Sequence, residues 1–277
     1  MLIKTNHGEV IEFRAARPLL GRPLYNTHFF LLDGLLVDTG PHNIAAEISA
    51  ALKGMNLEQA VITHQHEDHT GNCAMLQQEF GIPVYAHPET INILKNPLQL
   101  EIYRKIMWGT PPKSDATPLE KVINTNHYQI QAVHTGGHSL DHVCYFEPEN
   151  RWLFAGDFYL GESLTGFMVG ENIIQHLRGL EYLIGLKPTI LFCGLKGKLE
   201  DATERLIRKY NTWWNLGCKV TRLHNSGASY QRILKEVFGG EIFFYYFSQS
   251  NWGRRYMLDT IIASCDFFET EHKKEPL

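Results

Sequence analysis

The sequence has no excess of positive charge and no long apolar run. Its 26 Lys and Arg side chains are outnumbered by 30 Asp and Glu side chains, which gives a formal net charge of -4. That balance argues against broad electrostatic capture of nucleic acid or of an anionic membrane surface, although it leaves room for a local basic patch. The run of about 18 apolar residues that a membrane-spanning helix needs does not occur. We therefore expect a protein that does not cross a membrane.

Paired cysteine motifs are also missing. The five cysteines are odd in number and scattered, and none belongs to a Cys-x-x-Cys pair. This pattern argues against a disulfide framework and favours reduced thiols. The N-terminal segment lacks the apolar core of a secretion signal. Together these absences predict a cytoplasmic protein, and 277 residues are enough to bury a core without cross-links.

Short apolar runs typical of strands alternate with segments of helical spacing. Residues 27–40 form a predicted hairpin around an Asp-Gly turn. Predicted strands at 59–64 and 82–87 flank a helix that ends at Gly81. Strand-like runs resume after residue 122. Strands that alternate with helices indicate βαβ units and a layered α/β fold.

Two segments differ from this alternation. Residues 88–120 contain short helical pieces and a proline-rich loop, which we interpret as a lid-like insertion. Residues 201–277 have mostly helical spacing, with 250–264 as the predicted last helix and a polar tail, 269–277, that we expect to fray. The sequence thus predicts one α/β domain over residues 1–200, with a C-terminal helical extension packed on it.

Histidine and acidic residues are concentrated in the stretch AVITHQHEDHTGN, which begins at Ala60 and follows an apolar run. Zinc prefers imidazole nitrogen and carboxylate oxygen in compact shells. Residues two apart on an extended turn can point the same way, so His64 and His66 form a candidate pair for one metal ion. Asp68 and His69 then form a candidate pair for a second ion. A loop that leaves a strand and enters a helix is a usual place for such a site.

Two distant residues could complete this centre. His138 stands in the glycine-rich turn VHTGGHS after a predicted strand, and Asp157 ends the strand-like run WLFAGD. Each feature alone is common in proteins of any class. Both, however, follow predicted strands in the second half of the chain, from which they could close the cluster in the first half.

These motifs, in this order, resemble the metallo-β-lactamase superfamily, including its glyoxalase II-like and lactamase-like hydrolases. The turn VDTG at residues 37–40 is similar to the aspartate-bearing turn of that family. The resemblance covers about residues 1–200 and implies a four-layer αββα sandwich with metals at one edge. It also implies one or two bound ions, with zinc as the first expectation and iron or manganese as alternatives.

The resemblance implies a role for each residue of the motifs. The residues similar to metal ligands are His64, His66 and His138 for the first metal, Asp68 and His69 for the second, and Asp157 as the bridge between them. Asp68 would also act in catalysis, by orienting the attacking water and moving its proton. Asp38 would accept a hydrogen bond from a ligand imidazole and so fix its tautomer.

One position departs from the family's pattern. The family commonly supplies a late histidine to the second metal, and the matching place here is FCGLKG, residues 192–197. Leu195 or Lys196 stands where that histidine would be, and neither a leucine nor a charged lysine can bind a metal. We therefore expect weaker occupancy of the second site, or a fourth ligand such as His142 or His224. Lys196 could alternatively hold an anionic group of the substrate.

The leading hypothesis is a metal-dependent hydrolase that cleaves an ester, thioester or lactone bond of a small molecule. A metal lowers the pKa of water towards neutrality, so no Ser or Cys nucleophile is needed. Tyr103 and Trp108 of the insertion are candidates for an apolar lid, and His142 is more typical of a residue behind the ligands. Two alternatives stay open: an endoribonuclease or phosphodiesterase of the lactamase-like type, and a metal-binding protein with an incomplete second site and little catalysis. The sequence names neither the substrate nor the oligomeric state.

Overall fold

The computed structural model describes residues 1–19, 22–23, 25–163 and 165–270. The chain divides into two compact units. Residues 1–134, 141–160 and 188–201 make up the first unit, and residues 135–140, 161–187 and 202–277 make up the second, as far as they are described. Residues 271–277 of the tail that we expected to fray lie outside the described residues.

The strands mostly follow the predicted apolar runs. In chain order they are β1 (Leu2–His7), β2 (Val10–Ala15), β3 (Pro18–Leu19), β4 (Arg22–Pro23), β5 (Thr27–Leu32), β6 (Leu35–Val37), β7 (Gln59–Val61), β8 (Val84–Ala86), β9 (Thr117–Pro118), β10 (Val122–Asn124), β11 (Gln129–His134), β12 (Val143–Glu147), β13 (Trp152–Gly156), β14 (Phe167–Met168), β15 (Ile190–Cys193), β16 (Gly197–Leu199) and β17 (Trp252–Gly253). The hairpin predicted around the Asp-Gly turn is confirmed, since β5 and β6 pair antiparallel on either side of it.

The helices begin with α1 and end with α11 in the described chain. They are α1 (Ala45–Leu52), α2 (Glu67–Thr70), α3 (Cys73–Met75), α4 (Pro88–Lys95), α5 (Ile102–Trp108), α6 (Ile173–Gly185), α7 (Ala202–Asn225), α8 (Tyr230–Phe238), α9 (Phe243–Phe247), α10 (Arg254–Ile262) and α11 (Cys265–Thr270), with a 3-10 turn at His42–Ile44 and a π-helical turn at Leu76–Phe80. None of these described helices combines the length and the apolar character that a bilayer crossing requires.

Two mixed sheets form the framework of the first unit. The seven-stranded sheet has the order β1-β2-β5-β6-β7-β8-β9, with antiparallel pairs up to β6 and parallel pairs from β6 onward. The six-stranded sheet has the order β10-β11-β12-β13-β15-β16, in which β13 and β15 are the parallel pair. A βαβ connection of the predicted kind therefore joins β7 to β8, through α2, α3 and the π-helical turn.

Apolar side chains from both sheets form a shared core. Phe30 and Val61 of the seven-stranded sheet belong to one buried cluster with Phe154 and Phe192 of the six-stranded sheet. The ring of Phe30 lies 5.8 Å from that of Phe154 and 5.2 Å from that of Phe192. A second buried cluster joins the seven-stranded sheet to α1, α3 and α4. These two layers of packing fix the strand ends that carry the polar motifs.

The second unit contains α6, the C-terminal helices and the short β14–β17 ladder. The predicted last helix, 250–264, corresponds to α10, but the prediction that it ends the fold is wrong, because α11 follows it. Phe268 of α11 is fully buried against Gly217 of α7, where a Cβ atom would overlap its ring. That glycine inside a long helix is the feature that makes room for α11. Packing of these helices on the first unit stays a prediction.

Glu12 is a buried carboxylate that ties β2 to β16. Its oxygens lie 2.8 Å from Nδ1 of His28 and 3.0 Å from Nε2 of His7, and it accepts a hydrogen bond from the backbone N–H of Lys198 at 3.0 Å. Burial raises the pKa of Glu12, but these hydrogen bonds, led by that from His28, outweigh burial and lower the pKa to about 2. The ionised form of Glu12 is therefore more stable in the folded chain than in the unfolded chain.

Replacing Glu12 with Gln should remove a pH-dependent part of the stability. The carboxylate's pKa falls from 4.5 to about 2 on folding, so its contribution to the free energy of unfolding is complete above pH 4.5 and disappears as the pH falls through about 2. Urea unfolding between pH 7 and pH 2.5 should show the wild type and Glu12→Gln converging as the pH falls. The matched control is the exposed Glu9→Gln. A gap between Glu12→Gln and the wild type that stays constant with pH would contradict this assignment.

Candidate metal centre

Polar side chains gather where strands of the first unit end. Asp38 follows β6 and Thr63 follows β7, and these two strands are parallel neighbours. Asp157 follows β13, whose parallel neighbour β15 runs into Gly194. The carboxyl ends of neighbouring parallel strands lie on the same edge of a sheet, and ligand sites in α/β folds commonly lie there.

His64, His66 and Asp157 form the first ligand group. One ligand atom of each lies within 4.8 Å of the ligand atoms of the other two. Nε2 of His64 lies 2.8 Å from Nδ1 of His66, so the two imidazoles direct these nitrogens at one another. His64 is fully buried, while His66 and Asp157 are half-buried. The two histidines predicted from their spacing therefore do converge, together with a carboxylate more than ninety positions later.

Asp68, His69 and Asp157 form the second ligand group. Their ligand atoms also lie within 4.8 Å of one another. Nε2 of His69 lies 3.5 Å from a carboxylate oxygen of Asp68 and 3.3 Å from Oδ1 of Asp157. Asp157 is therefore common to both groups, which is the arrangement expected of a bridging carboxylate.

Asp38 holds the other nitrogen of His69. Its Oδ2 lies 2.7 Å from Nδ1 of His69, and the same carboxylate accepts hydrogen bonds from the backbone N–H and the hydroxyl of Thr63. The proton between them lies on Nδ1 of His69, so Nε2 is the ring nitrogen that faces Asp68 and Asp157 and would be available to a metal. The backbone of Asp38 is in the left-handed region, with φ at 63°, a conformation that aspartate tolerates better than most residues.

Residues that the sequence motifs did not reveal fasten these two segments together. The side-chain amide of Asn72 donates to the backbone oxygens of Thr39 and Gly40, and the Thr39 hydroxyl donates to the backbone oxygen of His69. Gly71 has no room for a Cβ atom, which would lie 2.5 Å from Gly40 O. The signal for this role was the run Thr-Gly-Asn directly after the histidines, small and polar residues that permit close backbone contact.

Gly194 leaves the space that Asp157 and His69 occupy. A Cβ atom at this position would overlap Oδ1 of Asp157 and lie 2.9 Å from Cε1 of His69. The backbone N–H of Gly194 also donates to the backbone oxygen of Gly156, the residue before Asp157, at 2.7 Å. The residue after β15 thus supports the centre because it has no side chain that would displace Asp157.

Three carboxylates, those of Asp38, Asp68 and Asp157, lie around the imidazole of His69. Burial raises the pKa of Asp68, and the nearby Asp157 carboxylate raises it further. Burial alone would lower the pKa of His69, but Asp38, Asp68 and Asp157 raise it well above its usual value. Nε2 of His69 is buried and makes no hydrogen bond to any described residue. Imidazole and carboxylate donors around such an atom suit a divalent cation.

The predicted insertion is tied to the motif loop by a buried ion pair. Arg104 of α5 donates two hydrogen bonds of 3.0 Å to the carboxylate of Glu67. Trp108 is buried, and the ring of Tyr25 packs edge-on against it with centroids 5.3 Å apart. Burial raises the pKa of Tyr25, and the carboxylates of Asp157 and Asp68 add to that effect. Tyr103 is half-buried on α5, and its part in a lid stays a prediction.

The remaining candidates in the first unit differ in their placement. Leu195 is half-buried and Lys196 is exposed. His142 is fully buried, with its ring centroid 5.0 Å from that of His64. His142 therefore packs against a proposed ligand, and its role stays a prediction.

His138 lies in the second unit, within a buried group that the sequence analysis did not anticipate. Its partners there are Glu171 and His176, and the ligand atoms of the three residues lie within 4.8 Å of one another. Burial raises the pKa of Glu171, but the imidazoles of His138 and His176 outweigh it and lower the pKa to about 2. Burial lowers the pKa of His176 to about 4, so its ring is neutral at pH 7.

Comparisons with known proteins agree on one family. A profile described as the metallo-beta-lactamase superfamily matches residues 30–194, more than half of the chain. A probable metallo-hydrolase, YybB, of Bacillus subtilis is 27% identical over 192 residues, which cover 66% of this chain and 85% of that protein. An atrochrysone carboxyl ACP thioesterase of Aspergillus fumigatus is 29% identical over 188 residues, covering 63% of this chain but only 54% of the thioesterase.

The fold is shared with solved structures. A metallo-beta-lactamase family protein of Thermus thermophilus superposes with a TM-score of 0.68 and 18% identity, covering 97% of this chain and 96% of that one. The predicted αββα fold with a C-terminal helical region is confirmed. The fungal thioesterase is nearly twice as long as the region that this chain matches.

Substituting Gly194 with Ala should damage the centre without straining the backbone. The new methyl group would displace Asp157 or His69, at a cost of about 1–3 kcal/mol typical of overpacking. We expect a lower free energy of unfolding in urea and less bound metal per chain. The matched control is Gly185→Ala at the end of α6, where a Cβ atom meets nothing within 4 Å. Equal metal content and stability in the two variants would contradict the placement of Asp157.

Proposed function

The chain belongs to the metallo-beta-lactamase superfamily, and from this premise we propose that it is a metal-dependent hydrolase of an ester, thioester or lactone bond in a small molecule. The observation that carries the proposal is the position of Asp157 in both ligand groups of the first unit. Such a shared carboxylate is what a centre for two neighbouring cations requires.

The proposed ligands follow the two groups. His64, His66 and Asp157 would hold one divalent cation, with zinc as the first expectation, and Asp68, His69 and Asp157 would hold a second. His138 is proposed as the third imidazole of the first cation because of the motif in which it stands. When bound, the cations supply Lewis acidity, which lowers the pKa of water and polarises the oxygen of the bond under attack.

The chain's own residues would handle the proton. Asp68 is buried, and its raised pKa makes its carboxylate a better proton acceptor than an exposed aspartate. We propose that Asp68 orients the attacking water, takes its proton and returns it to the leaving group. Cys73 does not compete for the nucleophile's role, since burial and the neighbouring Asp38 raise its thiol pKa to about 12.

Support for an acyl substrate comes from the relatives. One of them is named as an acyl carrier protein thioesterase, and another as a probable metallo-hydrolase. In this proposal, Trp108 and Tyr25 would line the substrate side of the centre, and the exposed Lys196 would bind an anionic group of the substrate. A small-molecule substrate also fits the net charge of -4 better than RNA does.

A second candidate follows from the missing late histidine. The second ligand group contains one imidazole, that of His69, and neither Leu195 nor Lys196 adds a ligand. A protein with one tightly held cation and an incomplete second site would bind metal with little turnover. Metal analysis of protein purified without a metal-binding tag separates the two candidates, since hydrolysis with two ions per chain excludes this one.

His66→Ala should abolish hydrolysis and lower the metal content. Loss of a ligand removes part of the first group, so we expect activity to fall by more than the roughly 10–100-fold that outer partners cost. The assay is a screen of ester, thioester, lactone and phosphodiester substrates together with metal analysis. His127→Ala, an exposed histidine paired with Asp33, is the control that should behave as the wild type.

Three results would overturn the proposal or its substrate class. Full activity in His66→Ala would show that the ligand groups are assigned wrongly. Cleavage confined to phosphodiesters, with RNA binding that weakens steeply with salt, would favour the nuclease alternative. A single inert metal ion per chain would favour the non-catalytic alternative.

A further inference from the structure

Glu171 and His176 are two buried, titratable side chains that the proposed reaction does not use. Both are almost completely buried, and both belong to the same ligand-like group as His138. Buried charge is costly unless it serves a partner. The burial of Glu171 therefore indicates a role for it beside the proposed ligand His138.

The carboxylate of Glu171 faces two imidazoles with one oxygen. Its Oε2 lies 3.4 Å from Nδ1 of His138 and accepts from Nε2 of His176 at 3.3 Å, while its Oε1 accepts from the backbone N–H of Met168 at 2.8 Å. A carboxylate surrounded by donors can only accept. At 3.4 Å this carboxylate favours a proton on the His138 nitrogen that faces it, which leaves the lone pair on Nε2.

The backbone before His138 is bound to the same segment. The backbone N–H of Asn172 donates to the backbone oxygen of Gly137 at 2.9 Å, and the side-chain oxygen of Gln175 accepts from the N–H of Gly137 at 3.2 Å. Gly137 has a φ of +81°, and a Cβ atom there would lie 2.8 Å from the ring of His176. The start of α6 thus holds both the loop and the ring of His138.

We propose that Glu171 is a positioning residue for His138, and that His176 braces Glu171. Glu171 fixes the tautomer in which Nδ1 is protonated, so that Nε2 is the nitrogen available to a metal. The inference rests on the proposed function, because it takes His138 as a ligand. Carboxylate partners of this kind commonly orient metal-binding imidazoles.

A nearby buried lysine argues against a separate metal site formed by His138, Glu171 and His176. Lys209 is buried in the same unit, with its ammonium group 4.1 Å from the centre of the Trp213 ring. The ring of His176 lies 4.9 Å from that same ring. A cation bound by Glu171 and His176 would therefore face a second buried cation close by.

The tautomer of His138 can be measured in the wild type, so that no variant has to fold. Long-range ¹H–¹⁵N spectra of the full chain with labelled histidine, freed of metal by a chelator, report which ring nitrogen carries the proton. His138→Gln identifies the signals. We expect His138 to be protonated at Nδ1 and unprotonated at Nε2. Protonation at Nε2 in the metal-free chain would overturn the proposal.

Zinc affinity tests the same role through variants. Competition with a chromophoric chelator should show zinc binding weakened about 10–100-fold in Glu171→Met, which removes the acceptor. Glu171→Gln keeps an acceptor oxygen and should lose less. Glu181→Met, an exposed position on the same helix, is the matched control and should bind as the wild type. Wild-type affinity in a folded Glu171→Met would overturn the proposal.

His138→Ala separates this inference from the proposed function. If His138→Ala binds zinc as tightly as the wild type, then His138 is not a ligand, and the proposed ligand set fails together with the role of Glu171. If His138→Ala loses affinity while Glu171→Met does not, only the role of Glu171 fails.

Discussion

The centre depends on one carboxylate that serves two groups of ligands. Asp157 follows the end of β13 and reaches both the His64–His66 pair and the ring of His69. It can do so because β15 presents Gly194, and not a larger residue, at the point of contact. Parallel pairing of β13 with β15 brings that glycine into place. This pairing of strands thus places Gly194 beside Asp157.

A second constraint is the orientation of the imidazoles. An imidazole has two nitrogens, and a metal site works only if the correct one keeps its lone pair. Asp38 orients the ring of His69 through Nδ1, and the Asp38 carboxylate accepts two hydrogen bonds from Thr63. The proposed role of Glu171 at His138 is the same solution in the second unit. Two buried carboxylates, Asp38 and Glu171, would then orient two proposed ligand imidazoles, those of His69 and His138.

Local spacing in the sequence was enough to predict the histidine cluster, the Asp-Gly hairpin and the helix end at Gly81, because each depends on residues close together in the chain. Contacts between distant segments were not predictable in this way. Glu171 follows His138 by more than thirty positions and looks like an ordinary residue before a helix. The role of Gly194 could not be predicted, because the space that its missing side chain leaves for Asp157 and His69 becomes visible only in the folded chain. The extra helix α11 depends on Gly217, whose effect appears only when the helices pack.

The most direct test of the shared carboxylate is a crystal structure of the zinc-loaded protein with anomalous difference maps above and below the zinc edge. We expect two peaks in the first unit, one beside His64 and His66 and one beside Asp68 and His69, with an oxygen of Asp157 within bonding distance of each. A fully loaded crystal in which Asp157 contacts no anomalous peak would show that this carboxylate is not shared.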